Sequence, residues 1–258
     1  MIRRFFISAA GLIAVSLFGQ PPGPRMGRGD FDLVRPEFGI SNKVVTGAPY
    51  SAQAVTQFTQ TLSTGDHIQR STTASIARDS QGRTRTERSL ASVGSLSARG
   101  GPMHSMQAIV IHDPVAGISY ALDPATHTAR SMQAPAPRTG AKAFLSAHSY
   151  SDRSHASAKT EDLGTQVIQG VSAQGKRVTR VIAAGTEGNE KEIDIVTETW
   201  YSPDLQVVVM SKTSDPRFGD SVYQLNSIIR AEPDPALFVV PSDYTVKEGR
   251  AGMRPGPQ

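Results

Sequence analysis

The chain has 258 residues, with 27 Lys and Arg against 23 Asp and Glu, and a formal net charge of +4 at pH 7. Loss of Arg3 and Arg4 with a leader halves that excess, which is too weak a field to recruit nucleic acid. There is no cysteine, so a thiolate nucleophile, a Cys-based zinc site, an iron–sulfur cluster and disulfide support are excluded, and the fold must rest on a packed core.

The opening run MIRRFFISAAGLIAVSLFGQ sets Arg3 and Arg4 ahead of an apolar stretch from Phe5 to Phe18. That stretch falls short of the about 20 residues a membrane-spanning helix needs. Residues 1–20 therefore read as a secretory signal peptide. The expected location is exported, periplasmic or extracellular, with no integral membrane segment once the signal is removed. Gln20 stands where a lipid-attachment motif needs cysteine. Residues 21–42 read as a flexible Pro/Gly-rich segment and 248–258 as a disordered tail. Neither can bury enough apolar surface to offset its ordering entropy.

Residues 43–247 read as one β domain. Thr, Val, Ile and Ser are abundant, and turn signals recur about every 10 residues, which predicts about 11 strands in meander order. The first strands are AVTQFTQTL, HIQRSTTASIAR and RTRTERSL, separated by STGD and DSQG. MQAIVIH, ISYALD and HTARSM follow, punctuated by DPVAG and DPAT. A second group is TQVIQGVSA, KRVTRVIAA, IDIVTETWYS, LQVVVMSKT and SVYQLNSIIRA. Consecutive hairpins make an antiparallel sheet, since parallel strands need long crossovers. In the first group one face is thinly apolar and the other wet: Ile68 and Ile76 oppose Gln69, Ser71, Thr73 and Ser75, and Arg83, Arg85 and Glu87 share a face. In the second group both faces are apolar and so both are covered. Between the groups, residues 133–161 form a long insertion or lid, in which GAKAFLSAH reads as a short helix burying Phe144 and Leu145.

No sequence constellation carries recognisable catalysis. His148, Asp152 and His155 have helical spacing for a metal trio, but their Ser-rich context reads as a solvated loop. His112 and Asp113 read as the end of a strand and the start of a turn. GTEGNEKE lacks the alternating ligands of a calcium loop and reads as a hairpin tip. Motifs for a hydrolase nucleophile, a zinc protease or a phosphate loop are missing. No cofactor and no metal site are expected. The single tryptophan, Trp200, shares a strand face with Val196 and Glu198. It is expected mainly as a packing residue, its indole N–H at the rim in reach of water or a carbonyl.

The second half carries Gly170, Trp200, Tyr201 and Pro203, and closes with Pro235, Leu237, Phe238, Pro241 and Tyr244. In these residues the chain resembles the LolA/RseB-like half-barrel superfamily, closest to secreted bacterial proteins of that type. The resemblance implies a mainly β fold: a single curved antiparallel sheet with a short helical cover around an apolar concavity. It also implies a non-enzymatic protein of the cell envelope. The expected partner is a lipid, an apolar small molecule or an envelope lipoprotein. Trp200, Val196, Val208, Met210, Phe144 and Leu145 are the candidate ligand contacts. The alternatives are an interaction module with a filled core and no small ligand, and a hydrolase with an unrecognised site.

Overall fold

The computed structural model describes residues 44–90, 106–133 and 157–249. Its strands are β1 (Tyr50–Thr61), β2 (His67–Arg78), β3 (Thr84–Leu90), β4 (Met106–Asp113), β5 (Ile118–Asp123) and β6 (Thr128–Gln133), then β7 (Ser157–Ile168), β8 (Val171–Ile182), β9 (Ile193–Ser202), β10 (Val207–Asp215), β11 (Gly219–Ile229) and β12 (Thr245–Glu248). They make one open, curved, 12-stranded sheet in the order β12-β6-β5-β4-β3-β2-β1-β11-β10-β9-β8-β7. All neighbours are antiparallel except β12 and β6, which run parallel. Two meanders, β1–β6 and β7–β11, thus meet where the first strand pairs with the eleventh.

Register assigns the faces, because side chains alternate along each strand. On the first face Ala54 lies opposite both Ala74 and Leu225, and Ala52 lies opposite Ile76. With Tyr50 and Tyr223 these belong to the main core, which also takes in Trp200, Leu205, Val209, Val171, Ala173 and Ile168. On the second face Ile109 opposes Leu122 and Leu122 opposes Ala129. These residues and Ile111 form a smaller core on which Tyr120, Val240 and Tyr244 pack. Arg78 is buried on the first face. Its guanidinium donates to the carbonyls of Ala48 and Leu205 and stands 4.8 Å over the Tyr50 ring. A buried cation is tolerated only when its donors are spent in this way.

The chain after β11 is a strap across the second face. The Glu232 carboxylate accepts from the Ser80 amide at 3.1 Å. Asp234 caps a 3-10 helix, Pro235–Phe238, by accepting from the Ala236 amide. Phe238 is buried, with the Arg83 guanidinium 5.3 Å above its ring. The Thr245 amide donates to the His127 carbonyl, and β12 then follows β6 in parallel.

The structure departs from the sequence reading at four points. Among the described residues the only helix is that 3-10 turn, so a helical cover is not evident; GAKAFLSAH, with Phe144 and Leu145, lies outside the described residues. The strap adds a twelfth strand that its prolines concealed. β7 begins at Ser157, inside the expected 133–161 insertion. TQVIQGVSA is not one strand. Its Gln169 and Gly170 adopt φ of 49° and 78°, the geometry of a tight hairpin turn. The next Gln-Gly pair, Gln174 and Gly175, lies in the interior of β8.

Candidate functional site

The strap leaves part of the second face uncovered between β1, β2 and β3. A groove of about 320 Å³ opens there, lined chiefly by Ser51 and Gln53 of β1, Ser75 and Ala77 of β2, and Arg85 and Glu87 of β3. Leu237 of the strap and Ser227 of β11 also line it, with Ala52 and Ile76. The floor follows from alternation: Ala52, Ala54 and Ala74 turn into the main core, so their neighbours Ser51, Gln53 and Ser75 face the other way. A smaller recess of about 120 Å³ continues it past Thr73, Ser89 and Gln107, with Gln53, Ser75 and Glu87 common to both.

Ser227 marks a bulge. Ser51 pairs with Ile229 but Gln53 pairs with Asn226, so β11 holds one residue more than β1 at this point. Ser227 takes φ 52°, a left-handed conformation that costs a non-glycine residue energy and is concentrated at functional sites. Bulges also redirect side chains beside binding sites.

The groove's charges are internally paired. Arg85 Nη2 donates to Glu87 Oε2 at 3.1 Å, and Gln107 Nε2 donates to Glu87 Oε1 at 2.5 Å. Arg85 Nη1 also reaches the Leu237 carbonyl at 3.3 Å, which ties the strap to the groove wall. No histidine lines the groove, and its serines stand beside neutralised charges. The arrangement offers a mostly apolar surface, to which Ala52, Ile76, Ala77 and Leu237 contribute, with hydrogen-bonding groups set into it, but no nucleophile–base pair.

The expected ligand contacts lie elsewhere. Trp200 is 7% exposed and belongs to the main core. Met210 lies opposite it across β10, and Val208, which a bulge separates from that pair, lies opposite Tyr201. Val196 is half-buried between Thr179 and Ser214. The expected position of the indole N–H is corrected: Nε1 is buried and has no hydrogen-bond partner among the described residues. Glu198, awkward on a core-facing side, is accounted for by Arg177, whose Nη2 lies 2.6 Å from it. His112 bonds Ser119 Oγ at 2.9 Å, and Asp113 accepts from the amides of the following turn. His148, Asp152 and His155 lie outside the described residues.

Sequence reasoning read the floor of the groove as merely wet. The closing Pro235-to-Tyr244 segment was the available signal. A run with Phe238 and Tyr244 must bury them on a sheet face, and the polar residues it does not cover become a trough.

No protein-family model and no curated protein matches the chain. Solved structures are similar to it at low identity. The Pseudomonas aeruginosa MucA/MucB complex aligns at 11% identity and a TM-score of 0.42, covering 86% of this chain and 64% of that one. An uncharacterized conserved protein from Thermus thermophilus aligns at 10% and 0.41, covering 85% of this chain and 98% of that one. The LolA superfamily protein NE2245 from Nitrosomonas europaea aligns at 7% and 0.31, covering 80% and 97% respectively.

Proposed function

We propose that the chain is an exported, non-enzymatic binding protein of the bacterial envelope, and that the groove beside the strap receives a polypeptide segment of an envelope partner. One observation carries this reading. The space around Trp200 is filled by its own core, whereas the open groove is lined by Ser51, Gln53, Ser75 and Ser227 with a paired Arg85 and Glu87. The hydroxyl and amide groups suit a ligand that brings backbone donors and acceptors of its own, and the apolar surface beside them, from Ile76, Ala77 and Leu237, suits its side chains. Export is supported by the Arg3–Arg4 start and the short apolar run after it.

The test is a photo-crosslinking amino acid at Ser75, with a control at the exposed Val115 in the turn after β4, in the full chain expressed in an exporting bacterium. The expected result is a discrete protein adduct from Ser75 only, on a mature chain whose first residue lies between about 17 and 25. The lipid reading replaces this one if organic extraction of the purified protein yields a stoichiometric acyl lipid and Ser75 gives no protein adduct.

A further inference from the structure

We infer that β7 is a self-association edge, on which a second copy of this chain adds its own β7 in antiparallel register centred on Thr160. Among the described residues β7 ends the sheet. It is 12 residues long, about twice the usual strand length of 5–6. Ala158, Lys159 and Thr160 are exposed. The backbone groups that β8 does not use have no partner strand among the described residues, and such an edge templates another strand.

The side chains specify which strand. Register aligns Glu161 of β7, Arg177 of β8, Glu198 of β9 and Lys212 of β10 in one row across the sheet. The row alternates in sign, with Arg177 3.4 Å from Glu161 and 2.6 Å from Glu198. It stops at an acid. The next residue outward should therefore be a base, and the sequence Lys159-Thr160-Glu161 supplies one by symmetry. An antiparallel copy centred on Thr160 sets its Lys159 opposite Glu161, and its Glu161 opposite Lys159. Each row then gains one more opposite charge across the two-fold axis and ends there, since Lys159 lies opposite Thr179 on β8; such cross-strand pairs favour register. Lys159 already lies 2.8 Å from Glu161 on its own strand, so it needs no large movement to serve the partner. The bulge between Asp162 and Gly164, where the Gly164 amide turns to the Asp162 carboxylate, interrupts the ladder, which resumes with Gly164 opposite Gly175. A bulge of this kind bends the strand, so regular pairing with a second copy is expected over 158–162.

Sedimentation velocity over a concentration series on the mature chain tests this with two charge-reversal variants, at the exposed Lys159 and the half-buried Glu161. Wild type should show a reversible monomer–dimer equilibrium. Lys159→Glu alone and Glu161→Lys alone should each weaken it about tenfold or more, since each turns two opposite-charge contacts into like-charge ones. An equimolar mixture of the two variants should recover the dimer, because the two acids of the first variant then face the two lysines of the second at both crossings. Circular dichroism of each variant establishes that the fold is kept. Hydrogen exchange should show amides of 158–162 protected as concentration rises in wild type only. A wild type that stays monomeric at the highest soluble concentration overturns the inference. A dimer indifferent to Lys159→Glu, or a mixture that fails to recover it, does the same.

Discussion

Trp200 and Gly175 illustrate how one side chain sets the meaning of another. They are register partners across β9 and β8. A Cβ placed on Gly175 would lie 2.6 Å from the indole ring, closer than any real contact. Glycine inside a strand is usually a weakness, but it is also the residue that admits a close approach. Gly175→Ala should therefore destabilise the protein by about 1–3 kcal/mol through overpacking. Trp200→Ala should cost about 3–5 kcal/mol by opening a cavity. The two losses should be strongly sub-additive, since the alanine at 175 meets no ring in the double variant. Urea denaturation of the four proteins checks this; additive losses would mean that the ring does not rest on Gly175. Trp200 emission should be blue-shifted and unresponsive to added phospholipid vesicles.

At the scale of elements, the strap decides whether the second face is a surface or a core. Asp234, Phe238 and Tyr244 come from a segment with little regular structure, yet Phe238 is buried and Val240 and Tyr244 cover the Ile109–Ile111–Leu122 cluster. Phe238→Ala should cost about 3–5 kcal/mol, as large aromatic truncations do. It should also raise hydrogen exchange in β12 and β6 ahead of β8 and β9, because the strap's anchor lies on one half of the sheet. Uniform loss of protection across all strands would mean that the strap and sheet unfold only together. The Ser227 bulge works in the opposite sense: it interrupts the β1–β11 pairing and leaves the groove open beside the strap.

For the whole molecule, the ionisation shifts in the acid range point one way. Burial lowers the pKa of His112, with Asp113 partly opposing. The folded state therefore resists a proton that the unfolded state accepts. Stability should be full above the unfolded histidine value of about 6.5 and fall as pH drops from there towards the folded value. Glu161 is held below its ordinary value, first by its hydrogen bond from Lys159 and then by the Lys159 charge. Asp123 is held low chiefly by Thr126. Both favour the fold above their unfolded pKa of about 4, and that contribution is lost as pH falls through their depressed folded values. Thermal melts should thus show Tm declining in two stages on acidification. His112→Gln should flatten the upper stage and leave the lower one. An unchanged upper stage in that variant would remove His112 as its source.

Sequence alone determined the class and most of the strand order. Alternation of Ile68 and Ile76 with Gln69, Ser71, Thr73 and Ser75 is a local, period-2 signal, and DPVAG or STGD between such runs reads as a turn. Those features need no knowledge of the rest of the chain. The tertiary structure decided what depends on partners distant in sequence. Gln169-Gly170 and Gln174-Gly175 are the same dipeptide, but only the first turns the chain; the second is paired on both sides, with β7 and β9, and its glycine makes room for Trp200. Ser75 reads as an ordinary wet position, and Ser51 and Gln53 precede the first expected strand; the strap beside them is what makes the three the floor of a groove. Glu198 looked misplaced until register brought Arg177 beside it. Propensity and alternation act over a few residues, whereas the groove, the Trp200 packing and the charge row arise from register between strands, and register is set by the assembled sheet.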